Sequence, residues 1–204
     1  MASRAPVSRL HEVLRTTLSA LDDLGWRSAL VGGLAVSIHS EPRFTRDIDL
    51  AVSVPDDFAA ERLIHELQQR GYRPLAVVEQ TATRRLATVR LAPPGEPEEG
   101  ILVDLLFASS GIEPEIVGSA GRIRVFEDLD SAVARPGHLI ALKVLARDDE
   151  RRPMDRADLV TLLRTASNAD LDQAREALRL IAKRGYARGR DLLSDLDGLL
   201  AKTP

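Results

Sequence analysis

Val31-Gly32-Gly33-Leu34-Ala35-Val36 and, a few residues later, Arg46-Asp47-Ile48-Asp49-Leu50-Ala51-Val52-Ser53-Val54 are the stretches that decide how this chain folds. The second alternates with period two, the pattern of a strand, so successive side chains face opposite ways. Asp47 and Asp49 therefore share one face, and Ile48 and Leu50 share the other. The apolar set packs, and two carboxylates are left side by side. Carboxylates that close repel each other and stay ionised together only with positive charge between them. Hard divalent cations supply such charge, and Mg²⁺ in particular is held by one or two carboxylates together with substrate phosphates. Gly32-Gly33 lies between a short apolar strand over 27–31 and a short helix over 34–39. Glycines at such a junction let backbone N–H groups approach a phosphate at a helix N-terminus.

A third carboxylate lies further on. Asp104 is the lone charge in Ile101-Leu102-Val103-Asp104-Leu105-Leu106-Phe107, and an unpartnered Asp buried in such a run costs several kcal/mol. If this strand pairs with the 46–54 strand, Asp104 joins Asp47 and Asp49, and the three form a cage suited to phosphoryl or nucleotidyl transfer. Each also has a plainer reading: Asp47 and Asp49 as the wet face of a half-exposed strand, Asp104 as a strand-end residue. Arg43 and Arg46 flank the turn as phosphate contacts or as ordinary surface charges.

The rest of the chain reads outward from these segments. An amphipathic helix is expected over 7–24, a helix from 57 to about 70, and β-rich stretches over 73–78 and 86–91. The breaker cluster 92–100 precedes the apolar strand. A short helix over 113–118 and a strand over 122–126 follow, and from 128 onward the pattern is helical, with helices near 128–134, 137–147, 154–165, 170–183 and 188–201. The expected division is an α/β core over 1–127 and a helical C-terminal region over 128–204 that completes the active-site cleft. In the helix over 137–147, Lys143 and Arg147 interrupt an almost wholly apolar run. A buried Lys needs an anionic partner. Asp155 and Asp158 are partners inside the protein, and a phosphate is the partner outside it; both stay open. His39 reads as a helix-end residue. The Arg-rich tail (Arg175, Arg179, Lys183, Arg184, Arg188, Arg190) reads as a solvated face or as a patch for RNA phosphates.

Composition narrows the field. The 204 residues are 44% hydrophobic and 29% charged, and none is Cys. That excludes a disulfide framework, thiolate metal sites and a cysteine nucleophile. The four His never fall at i, i+4, so the usual histidine zinc motifs are missing. A net charge of −3 argues against coating nucleic acid by bulk charge. There is no Walker A loop, no Gly-x-Gly-x-x-Gly and no Gly-x-Ser-x-Gly. No apolar run approaches the ~18–20 residues that span a bilayer, and no signal-peptide pattern opens the chain, so a cytoplasmic protein without membrane association is expected.

Taken together these motifs resemble the polymerase-β-type nucleotidyltransferase superfamily, and within it the AbiEii-like toxin branch of type IV toxin–antitoxin pairs. The resemblance rests on Val31 to Val36, His39, Arg43 to Leu50, Val103 to Leu106, Leu142-Lys143 and Arg152-Pro153-Met154-Asp155-Arg156-Ala157-Asp158-Leu159. It covers roughly residues 25–165. It implies a small mixed sheet flanked by helices with a helical C-terminal part, and transfer of a nucleoside monophosphate from an NTP to an acceptor hydroxyl. By resemblance Asp47, Asp49 and Asp104 bind Mg²⁺ or Mn²⁺, with Asp104 also the general base. Gly32, Gly33, Arg43, Thr45 and Arg46 surround the nucleotide, Lys143 holds the triphosphate, and Asp155 and Asp158 order the helical side of the site. Two positions depart from the pattern: Gly33 replaces a phosphate-contacting Ser, and Met154 replaces a basic residue. The branch implies an RNA or tRNA acceptor and a partner antitoxin. Modification of a small molecule or protein side chain is the second reading, and a non-catalytic nucleotide-binding module is the third.

Overall fold

The computed structural model describes residues 6–41, 45–147 and 153–202. Within them a seven-stranded mixed sheet has the order β3-β4-β5-β2-β1-β7-β6. The long helix α1 (Pro6–Asp23) leads to β1 (Ser28–Val31), α2 (Gly32–His39) and β2 (Ile48–Val52). Then come α3 (Asp57–Gln69), β3 (Arg73–Glu79), β4 (Leu86–Ala92), β5 (Val103–Leu106) and α4 (Glu113–Ser119). The hairpin β6 (Gly121–Phe126) and β7 (Leu129–Val133) precedes four helices, α5 (Pro136–Ala146), α6 (Pro153–Thr165), α7 (Asn168–Lys183) and α8 (Leu192–Leu200).

The Asp-x-Asp strand is the central strand of the sheet. β2 runs antiparallel to β1 and parallel to β5, while β4 runs antiparallel to both β5 and β3. Ile48, Leu50 and Val52 are fully buried, as are Leu30, Leu91, Val103 and Leu105 on its neighbours. Strands covered on both faces read as nearly continuous apolar runs, and this explains why 101–107 looked so apolar. α2 and α4 pack against β2, and α5 packs against α2, α6 and α7. Local signals set the ends of the elements. The Asp56 carboxylate accepts from the Ala59 amide at 2.8 Å and caps α3, and Ser167 and Asp170 form a reciprocal capping box on α7. Beyond β5, the buried Glu113 accepts from Ser109 Oγ and from the Ser110 amide and hydroxyl, which ties the turn to α4.

One segment corrects the sequence reading. Residues 129–133 form strand β7, where a helix over 128–134 was expected. Leu-Asp-Ser-Ala-Val carries no strong propensity of its own. Pairing decides its state, because β7 is hydrogen-bonded to β6 on one side and lies parallel to β1 on the other, with Val133 opposite Leu30. The helical region therefore starts at α5. The last helix also starts later than expected, at Leu192, because Arg188 and Gly189 take positive φ and Asp191 caps the new helix. No helix among the described residues is long and apolar enough to cross a membrane.

The central position of β2 has a measurable consequence. Leu50→Ala removes a fully buried side chain and is expected to destabilise the protein by roughly 2–5 kcal/mol, read as a lower urea midpoint at unchanged m-value. A loss below about 0.5 kcal/mol, the level of an ordinary surface substitution, would contradict a close-packed centre.

Candidate active site

The sheet registers bring the candidate carboxylates into one row. Asp49 on β2 lies directly beside Asp104 on β5, and Asp104 lies directly opposite Arg90 on β4. Residues level with one another on neighbouring strands present their side chains on the same face. Asp47, one residue before β2, stands at the mouth of the row with 44% of its side chain exposed, against 13% for Asp104. Three carboxylates and one guanidinium thus share one stretch of sheet surface.

Arg90 binds this group tightly. Its Nε donates to Asp104 Oδ1 at 2.8 Å and its Nη2 to Asp104 Oδ2 at 2.7 Å, a two-pronged pairing. The same Nη2 lies 3.7 Å from Asp47 Oδ2. The hydrogen bonds to Asp104 raise the guanidinium's pKa further above its ordinary value, and the negative charges of Asp104, Asp47 and Asp49 add to them. The sequence reading missed this residue. The available signal was an arginine on the polar side of an alternating strand, Thr88-Val89-Arg90-Leu91, and such a residue looks like any solvated position until the register is known.

Asp49 sits deeper. Burial, followed by the charges of Asp104 and Asp47, pushes its carboxyl up from 3.8 to about 7; Lys143 and the Gly33 amide, which donates to it, act in the opposite direction. The strand-to-helix junction is built around this carboxylate. Gly32 adopts φ +64°, and a Cβ there would fall 1.9 Å from Asp49 Oδ2. Only glycine lets the backbone lie against Asp49 in this way. The Gly-Gly pair read as a phosphate cradle thus also serves the carboxylate.

Lys143 reaches the site from α5. Its Nζ is 2.6 Å from Asp155 Oδ1 and 2.7 Å from Asp158 Oδ2, with 11% of the side chain exposed. The partners inside the protein are therefore engaged. Thr45 Oγ1 donates to the Asp47 carbonyl at 3.3 Å, and Arg46 is exposed. Arg43 lies outside the described residues. His39 Nε2 is 2.9 Å from the Ala134 carbonyl, a bond that joins the end of α2 to the end of β7. Most of the tail arginines are used within the fold. Arg184 pairs with Glu115 and the Gly111 carbonyl, Arg190 with Asp195, and Arg175 with Asp172 and Asp197.

The donor set fits a hard divalent cation. Asp47, Asp49 and Asp104 supply only carboxylate oxygens, and the Asp49 carboxyl, pushed up first by burial and then by the charges of Asp104 and Asp47, is one whose ionised form a cation would favour. Among the described residues no three potential ligands already converge as a closed cage; Arg90 stands between Asp47 and Asp104.

The pKa of Asp49 carries a prediction. A carboxyl raised from 3.8 to about 7 on folding binds protons more tightly in the folded protein, so its contribution to stability declines as pH rises through this range. In EDTA, Asp49→Asn is therefore expected to stabilise the protein at pH 8 relative to pH 5, by up to a few kcal/mol at about 1.4 kcal/mol per unit. Urea unfolding at the two pH values reads it. An equal effect at both pH values would refute the coupling.

Comparison with known proteins agrees with this geometry. The family model "Nucleotidyl transferase AbiEii toxin, Type IV TA system" matches residues 16–202, well beyond the stretch over which the motifs had shown a likeness. The solution structure of the antibiotic-resistance factor ANT(2'')-Ia is similar at TM-score 0.51 and 16% identity, over 97% of this chain and 92% of that one. The crystal structure of ANT(2'')-Ia with adenylyl-2''-tobramycin gives 0.50 and 17% over 85% of this chain and 96% of that one. A nucleotidyltransferase-like antigen from Paracoccidioides brasiliensis gives 0.47 and 19% over 91% and 93%. At such identities the ANT(2'')-Ia structures establish a shared nucleotidyltransferase fold. No curated protein is significantly similar in sequence. The family match runs from α1 to the end of α8 and includes the whole carboxylate row, so the chain belongs to the AbiEii family of nucleotidyltransferase toxins.

Proposed function

We propose that this nucleotidyltransferase moves a nucleoside monophosphate from an NTP to a hydroxyl of RNA, with a tRNA the leading acceptor, in a reaction dependent on Mg²⁺ or Mn²⁺. We also propose that it acts as a toxin whose activity a partner antitoxin restrains. The observation that carries the reading is the row Asp49–Asp104 on adjacent parallel strands, with Asp47 at its mouth and the Gly32-Gly33 junction against Asp49. The family's description as a type IV toxin supports the antitoxin, and the RNA acceptor follows from the resemblance of the motifs to that branch.

Asp47, Asp49 and Asp104 would hold the cation. When bound, it neutralises charge on the α-phosphate and on the leaving pyrophosphate. The remaining work falls to the chain. Gly33, with its amide at the N-terminus of α2, favours an anion beside Asp49. Lys143, held by Asp155 and Asp158, directs positive charge toward the same space and keeps the triphosphate oriented. Arg46 and Thr45 line the approach to Asp47. Asp104 orients the attacking hydroxyl and accepts its proton. The helices from α5 onward supply Lys143, Asp155 and Asp158, and so close the cleft from the side opposite the sheet. Catalysis of this kind rests on positioning and electrostatics, with no covalent step on the protein.

A label-transfer assay tests the proposal. The protein is incubated with Mg²⁺, total RNA and each α-labelled NTP in turn, beside an Asp47→Ala, Asp49→Ala double variant. Label in RNA that falls at least a hundredfold in the variant is the expected result. Label on a small molecule or a protein instead would keep the transferase and replace the acceptor. Neither label nor Mg²⁺-dependent NTP binding would overturn the catalytic reading.

A further inference from the structure

We propose that Arg90 is a gate on the cation site. In the metal-free protein its guanidinium takes the place of a cation between Asp47 and Asp104, and it competes with a divalent ion or a substrate hydroxyl for the oxygens of Asp104. This inference rests on the reading of the three carboxylates as cation ligands and adds to it the element that controls them.

Three observations carry it. First, both oxygens of Asp104 are engaged by one guanidinium, Oδ1 by Nε and Oδ2 by Nη2. An ionised carboxylate has about four acceptor directions, and a fork of this geometry takes two of them, one on each oxygen. Second, the same Nη2 is 3.7 Å from Asp47 Oδ2, so the positive charge sits where it faces two of the three proposed ligands. Third, the arrangement is open on one side. Arg90 has 41% of its side chain exposed and Asp47 has 44%, so the guanidinium can turn outward without unpacking the core, whereas Asp104 and Asp49 are fixed on the sheet.

Two consequences follow. Arg90 relieves like-charge repulsion while the site holds no metal, so the row folds without needing a cation. A divalent ion competes with Arg90 for Asp104, so the apparent cation affinity is lowered by the fraction of molecules in which Arg90 is bound. The released guanidinium then stands beside the site, where an incoming phosphate is a new partner. Arg90 is thus a positioning residue that works through Asp104.

Mn²⁺ titration of the full-length protein, followed by the electron paramagnetic resonance of free Mn²⁺, tests the gate without a turnover measurement. Wild type, Arg90→Gln, Arg90→Lys and Asp49→Asn are compared, with circular dichroism confirming that each is folded. Arg90→Gln is expected to bind Mn²⁺ at least tenfold more tightly than wild type. Arg90→Lys, which keeps the charge and loses the fork, is expected to fall between them and provides the readout should the Gln variant fail to fold. Asp49→Asn is expected to bind weakly or not at all. Mn²⁺ binding that depends on Asp49 but is unchanged or weaker in both Arg90 variants would overturn the gate and leave the cation site standing. No Mn²⁺ binding by any of the proteins would overturn the cation site and the gate together.

Discussion

Asp47, Asp49 and Asp104 crowd negative charge onto one stretch of a buried sheet, and the surrounding structure is arranged so that this charge can exist at all. Asp49 lies level with Asp104 on the next strand, and its carboxyl is shifted to about 7 by burial and by the neighbouring carboxylates. Two cations answer from opposite sides. Arg90 comes from β4 along the same row, and Lys143 comes from α5. Each is itself anchored, Arg90 by both oxygens of Asp104 and Lys143 by Asp155 and Asp158. The site is therefore a cluster in which two cations are shared among five carboxylates.

The scaffold serves that cluster through rigidity. β2 is the central strand, flanked by β1 and β5, and its apolar residues are fully buried. A carboxylate mounted on such a strand cannot move away from its neighbours to relieve repulsion, so the relief has to come from mobile or dissociable charge. This division matches the residues present: the fixed members are aspartates, short side chains on strands, while the half-exposed Arg90 answers them from a long stem. Gly32 shows the same constraint at the backbone, because its Cα is pressed so close to Asp49 that a single Cβ would overlap the carboxylate. The geometry of the carboxylate row and its folding cost are thus set by the same few contacts.

A family defined by nucleotidyl transfer gains from this arrangement. Its substrates bring phosphates, and phosphates bring divalent cations with them. In this chain Arg90 and Lys143 partly offset the carboxylates by themselves, so the row does not rely on a bound cation alone for its positive charge. The arginines of the C-terminal helices contribute elsewhere. Arg184 and Arg190 join α7 and the α7–α8 connection to α4 and to the end of α5, and so fix the helical side that carries Lys143.

Much of this was legible in the chain itself. Alternation in 46–54 gave Asp47 and Asp49 a common face, the glycine pair marked a strand-to-helix junction, and Lys143 in an apolar helix demanded an acidic partner. Each of these is a local property, visible because side-chain direction repeats every two residues in a strand and every 3.6 in a helix. What only the tertiary structure decided depends on pairing between distant segments. Residues 129–133 became a strand because β1 and β6 bind them from both sides, although their own propensity is indifferent. Arg90 joined the site because the β4–β5 register sets it level with Asp104, and a shift of one residue would have turned it to the other face. Register comes from long-range hydrogen bonding and burial, and no window of local sequence contains it.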